Sequence, residues 1–115
     1  MDTSQLSGRL DRDQLRDVTL DDEALMREII TVLIDDTSRQ MKLLQVAIQD
    51  QDMTRCMHLA HYSKGACANV GATAAAEILK DIERRAAHRQ FNECTTALGR
   101  LADEIEALRS AATSL

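Results

Sequence analysis

His58, His61 and Lys64 fall within one short stretch of the chain, and Gly65 follows directly. An imidazole can act as a nucleophile, as an acid or base, or as a metal ligand. At about 100° per residue around a helix, Thr54, Met57, His58, Lys64, Gly65 and Ala68 all lie within roughly 60° of His61. Cys56, Leu59, Ala60, Ser63, Cys67 and Val70 fall on the opposite, core-facing side. The spacing therefore predicts an exposed His61, and spacing alone is equally satisfied by a surface histidine without a role. Gly65 tips the balance. A mid-helix glycine costs about 1 kcal/mol relative to alanine, so a local gain must offset it. With Ala68 it leaves a bare strip beside the imidazole, where another molecule can approach closely. Lys64 sets a positive charge at the same spot. An approachable imidazole next to an ammonium is a receptor for a phosphoryl group. A metal shared by His58 and His61 is the poorer reading. The chain has 3 histidines and no Glu-x-x-His spacing, so no metal is expected.

The elements that must hold these residues are helices. The chain has 115 residues, 44% hydrophobic and 29% charged, with no proline and only Tyr62 and Phe91 as aromatics. That suits one domain packed by Leu, Ile, Met and Ala rather than a β-sheet. Residues 1–9 read as a flexible N-terminus and 10–115 as one bundle. Asp11 is placed to cap a short helix over 12–17. A first long helix starts near Asp22, carries Met26, Ile29, Ile30, Leu33, Thr37, Met41, Leu44 and Ile48 at helical spacing, and ends around 49–52. A second runs over 53–69, with Asp52 as cap and Gly71 as terminator. A third runs over 74–88 with Thr73 as cap and the stripe Ala75, Ile78, Leu79, Ile82, Ala86. The fourth runs over 92–112 with Cys94, Leu98, Leu101, Ile105, Leu108 and Ala112. Four amphipathic helices with short connections predict an all-α, antiparallel up-and-down four-helix bundle with a short additional N-terminal helix.

The balance of charge narrows the function. A net charge of −5 disfavours nucleic acid as a partner, and two aromatics give no stacking platform. The opening residues lack a basic segment followed by an apolar run, and the longest apolar run, 29–34, is too short to span a bilayer. Cys56, Cys67 and Cys94 have no metal-type spacing and read as reduced, buried thiols of a cytoplasmic protein. Gly8, Gly65, Gly71 and Gly99 form no phosphate-cradling loop. The expectation is a protein that carries phosphate without using ATP itself and without a cofactor.

The stretch "AHYSKGACANVGA" resembles the active helix of histidine-containing phosphotransfer (HPt) domains, whose pattern is approximately A-H-x-[LF]-K-G-[SA]-[SA]-x-[NS]-[LIV]-G. His61, Lys64, Gly65, Ala66, Asn69, Val70 and Gly71 fit it. "DIERRA", residues 81–86, resembles the L-E-x-x-[AG] stretch of the next helix, and "LLQVAIQDQD" resembles the run before the active helix. The resemblance covers about residues 10–110. Ser63 departs from it, where a larger apolar residue is usual, as does Cys67, where Ser or Ala is usual. Both bear on packing.

The resemblance implies a phosphocarrier of a two-component phosphorelay. His61 would take the phosphoryl group from a receiver-domain aspartate and pass it to another receiver. It also implies that Glu83 accepts a hydrogen bond from Nδ1 of His61, leaving Nε2 as the nucleophile; a solvated Glu83 paired with Lys80, Arg84 or Arg85 is the alternative. Lys64 would offset phosphoryl charge, Gly65 and Ala68 would give access, and Met57, His58, Tyr62 and Lys80 would meet the partner. The docking surface would be a flat apolar patch formed by the second and third long helices. The partners would be receiver domains of response regulators and hybrid kinases, met by a monomer. A receiver-binding adaptor without transfer and a helical oligomerisation module are the competing readings.

Overall fold

A computed structural model describes residues 10–113 of the chain. It holds five helices: α1 (Arg12–Thr19), α2 (Glu23–Gln49), α3 (Met53–Asn69), α4 (Thr73–Ala87) and α5 (Phe91–Ala112). Among the described residues there is no strand. The flexible N-terminus expected over 1–9 lies outside the described residues.

Three aspartates start the first three helices. The carboxylates of Asp11, Asp22 and Asp52 accept from the backbone N–H of Gln14, Leu25 and Arg55, each at 3.1 Å. Each satisfies a backbone donor that the first helical turn leaves without a partner. The expected cap at Thr73 is corrected. Thr73 is the first residue of α4, and Ala72 precedes it without a side-chain cap bond. The residue at the cap position is an alanine, whose side chain has no acceptor. α1 also runs on to Thr19, past the expected end, and closes at Leu20 in the left-handed conformation.

The core is one cluster. Ile30, Leu44, Leu79, Ile82, Leu101 and Leu108 lie at its centre, all buried. The stripe of α5 keeps Cys94, Leu101, Ile105 and Leu108 as expected and moves by one position at two others. Ala97 and Ala111 are buried, while Leu98 and Ala112 are only partly so. Leu10 and Leu15 of the N-terminal segment are buried as well. The three cysteines are buried and free. Burial pushes the thiols of Cys67 and Cys94 up to about 11. No helix among the described residues is long and apolar enough to cross a membrane.

α3 and α4 make the most extensive helix pair. The buried positions of α3 are all small, Cys56, Ala60, Ser63 and Cys67, while α4 buries Ala75 and Ala86 beside the larger Leu79 and Ile82. Small side chains let two helix axes approach closely. That closeness brings side chains on the rim of one helix within reach of the other.

Candidate functional site

His61 and Lys64 stand one turn apart on α3, on the rim that faces α4. Glu83 stands on the facing rim of α4, next to buried Ile82. One carboxylate oxygen of Glu83 lies 2.8 Å from Nδ1 of His61, and the other accepts from Nζ of Lys64 at 3.0 Å. Glu83 is thus shared between an imidazole and an ammonium. The alternative of a solvated Glu83 paired with Lys80, Arg84 or Arg85 does not match this geometry.

The electrostatics follow from the shielding of the three groups. The side chains of Glu83 and Lys64 are 23% and 27% exposed, whereas that of His61 is 70% exposed. Burial works to raise the Glu83 carboxyl. The hydrogen bonds from Lys64 and His61 outweigh burial and hold it below the ordinary carboxylate value. An ionised carboxylate can only accept, so Nδ1 of His61 donates to it. In the neutral ring the free lone pair is then on Nε2, the nitrogen turned away from Glu83. The arrangement is an oriented, mostly exposed imidazole with Nε2 turned away from the carboxylate.

The surroundings of the ring are open on the α3 surface. A Cβ added at Gly65 would meet nothing within 4 Å. Ala68 is exposed. Gly65 therefore has no packing duty inside the bundle. Gly71 is a different case. Its φ is +80°, and a Cβ there would come within 2.8 Å of the Asp11 carbonyl oxygen. Asp11 N–H donates to the Gly71 carbonyl at 2.6 Å. The side chain of Gln14 donates to the carbonyls of Ala68 and Asn69 at 2.6 and 3.0 Å. These bonds close the C-terminus of α3, where helical carbonyls lack partners.

The other expected site residues divide between two sides. Met57, Lys64, Lys80 and Glu83 line a shallow groove of about 470 Å³ along the α3–α4 seam, shared with Asp81 and Arg84. Its lining is mostly charged. His58 is exposed, and Lys80 is exposed. Tyr62 points the other way, toward α2. Its hydroxyl donates to Asp36 at 3.2 Å, and Asp36 also pairs with Arg39 at 3.4 Å. The expected flat apolar patch on the second and third long helices is therefore corrected. The exposed large apolar side chains lie at Tyr62 and on the α1–α2 side, as with Leu25, Val32 and Val46, and none lies on α4 among the described residues. The seam of α3 and α4 buries its small apolar residues and leaves charge on its rim.

Sequence reasoning missed Asp36, Arg39 and Gln14. Asp36 and Arg39 read in the sequence as an ordinary i,i+3 ion pair on α2, with nothing that points to Tyr62. Gln14 carries no signal either.

The model of one family, the Hpt domain, matches residues 28–111. The chain belongs to the Hpt domain family. Hpt proteins carry phosphoryl groups on histidine in phosphorelays and work with receiver domains. Two solved structures share the fold. A histidine-containing phosphotransfer protein B from Pseudomonas aeruginosa PAO1 is 22% identical, with 92% of each chain covered and a TM-score of 0.83. A putative histidine-containing phosphotransfer protein from rice is 19% identical, covering 97% of this chain and 86% of its own, also at a TM-score of 0.83. No curated protein matches the sequence. The Hpt match spans α3 and α4 whole, and so includes His61, Lys64, Gly65 and Glu83.

Proposed function

We propose that this Hpt domain accepts a phosphoryl group on Nε2 of His61 from the aspartyl phosphate of a receiver domain and passes it to an aspartate of another receiver. The observation that carries this reading is the bridge from Lys64 through Glu83 to Nδ1 of His61. The Nε2 lone pair attacks phosphorus. The P–O bond to the donor aspartate breaks, and that carboxylate leaves with the electron pair. Positive charge grows on the ring as the N–P bond forms, and the Glu83 carboxylate stabilises it through the Nδ1 hydrogen bond. The resulting phosphohistidine gives up its phosphoryl group by the same steps in reverse. Any Mg²⁺ belongs to the receiver.

Lys64 holds Glu83 in the resting protein and lies one turn from the acceptor, where its charge offsets that of the phosphoryl group. Gly65 and Ala68 leave room for the receiver's active site. Met57, His58, Tyr62 and Lys80 surround the acceptor and make the remaining partner contacts. The transferring form is the single chain, acting in the cytoplasm. An adaptor that only binds a receiver has no use for an oriented, open nucleophile, and this favours transfer.

The test is to mix the protein with radiolabelled, phosphorylated receivers and follow the label. Acid-labile phosphate should appear on the wild-type protein and be absent from His61→Gln. Label persisting in a folded His61→Gln protein would overturn the assignment.

A further inference from the structure

The outer face of α2 carries an unused pattern. Leu25, Val32, Arg39 and Val46 recur every seven residues, and Ile29, Asp36 and Leu43 follow the first three by four. This is the a/d spacing of a two-stranded coiled coil. None of these residues is fully buried, though Ile29 packs partly against the core and the Asp36 side chain is 22% exposed; Val32, Leu43 and Val46 are 60%, 40% and 51% exposed. Contiguous exposed apolar positions on a helix mark an interaction surface.

The pattern has a second property. Turned end for end about the point between residues 37 and 38, its span from Ile29 to Val46 falls on itself, while Leu25 falls opposite Asp50 at the end of the helix. Ile29 meets Val46, Val32 meets Leu43, and Asp36 meets Arg39. Apolar positions meet apolar ones, and the acid meets the base. An isologous two-fold contact requires this self-complementarity. We infer that α2 pairs antiparallel with α2 of a second copy of this chain, with two reciprocal Asp36–Arg39 ion pairs about the axis.

The receiving surface is present. A groove of about 590 Å³ between α2 and α3 is lined by Ile29, Val32, Ala66 and Val70, and Leu43 and Val46 of the second copy seat there. The Arg39 side chain is 68% exposed and long enough to leave its own Asp36 for the neighbour's. The contact runs from residue 29 to residue 46, about 26 Å of helix. A contact limited to one helix is small, so the dimer is weak and forms only at high protein concentration. The charges set its alignment more than its strength, because like charges in the same places repel. Pairing covers the Tyr62 side of the groove. On the docking role proposed above for Tyr62, a paired chain cannot hold a receiver there.

Sedimentation velocity on the full chain, without any receiver, tests the pairing. The wild type should pass from monomer to dimer as its concentration rises. Asp36→Arg and Arg39→Asp should each weaken the dimer by more than about tenfold. The double variant restores opposite charges across the axis and should recover to within about threefold of wild type. Circular dichroism melts establish that each variant is folded. If Asp36→Arg does not fold, Arg39→Asp and Leu43→Asp, at exposed positions, carry the test. A wild type that stays monomeric up to about 1 mM overturns the inference. So does Arg39→Asp dimerising like wild type, or a folded double variant that is not restored. Phosphotransfer to His61 is measured separately on dilute protein. A chain that transfers but never pairs overturns this inference alone, and one that pairs but never transfers overturns only the carrier reading.

Discussion

Asp81 and Glu83 sit two residues apart on α4, roughly 200° apart around the helix, and so face different neighbours. Asp81 edges the same groove as Glu83 but pairs with arginines of α4 and α5. It accepts from Arg84 at 2.7 Å, and Arg85 and Arg100 lie at 3.4 and 3.8 Å. Glu83 looks toward α3 and divides its two oxygens between Lys64 and His61. Both carboxyls are held below their ordinary values, Asp81 chiefly by the Arg84 hydrogen bond, Glu83 by Lys64 and His61 against the opposing effect of burial. Shielding is similar, with side chains 19% and 23% exposed. What separates them is the company. Guanidinium groups stay charged and offer no lone pair, so Asp81 only braces α4 through Arg84 and Arg85 and reaches α5 through Arg100. An imidazole that donates at one nitrogen is left with a nucleophile at the other. A perturbed carboxylate therefore marks a reactive place only when one of its partners has chemistry left over.

The widest gap between the two regions should come from the ring itself. His61→Gln should fold and lose all phosphoryl acceptance, while His58→Gln and His88→Gln still accept; intact-mass and acid-lability measurements read this directly. Next in size is Gly65→Leu. Its side chain projects one turn from His61 into space that is empty in this protein. Transfer should fall strongly, with thermal stability unchanged or raised by up to about 1 kcal/mol. Gly65→Ala should fall between. A destabilised Gly65→Leu whose folded fraction transfers normally would count against the access argument.

The carboxylates themselves come third. Glu83→Ala should slow transfer roughly 10–100-fold, the usual effect of losing a group that orients a ring. ¹⁵N NMR should show the neutral His61 ring losing its preference for the Nδ1–H tautomer. Asp81→Asn should leave both readouts unchanged and cost about 1 kcal/mol of stability. A transfer defect in Asp81→Asn equal to that of Glu83→Ala would erase the distinction.

The smallest effect is the response to acid. A carboxyl held low in the folded protein stabilises it at and above the unfolded-state value, about pH 4. That contribution is lost as pH falls through the lower folded-state value. Denaturant melts across that range should show Asp81→Asn and Glu83→Ala each losing less stability on acidification than the wild type does.

Helix boundaries were legible because they rest on local chemistry. Asp11, Asp22 and Asp52 announce their helices, and apolar spacing gives the inward face of each. The exposure of His61 and the open space at Gly65 followed from the same geometry. The Glu83 bridge was not legible from periodicity, since it depends on how closely α3 and α4 approach; the family resemblance supplied it. The position of Tyr62 was only half legible. A place beside the contact surface was expected for it, but its bond to Asp36 joins residues distant in sequence. The apolar patch was misplaced for a related reason. The resemblance put it on α3 and α4, but which helix faces stay exposed depends on how the helices pack, and the large apolar side chains left exposed lie at Tyr62 and on the α1–α2 side.

The bonds from Asp11 to Gly71 and from Gln14 to Ala68 and Asn69 bear on how the unit can be moved into another protein. The family's matched span opens at residue 28, inside α2. A fusion cut there would discard the strap that ties off the far end of the helix bearing His61. The last turns of that helix would unwind, and the ring would lose its bearing on Glu83 although every residue of the signature motif was kept. A graft that preserves the chemistry has to carry Asp11 and Gln14 with it, so the portable piece is longer than its recognisable one.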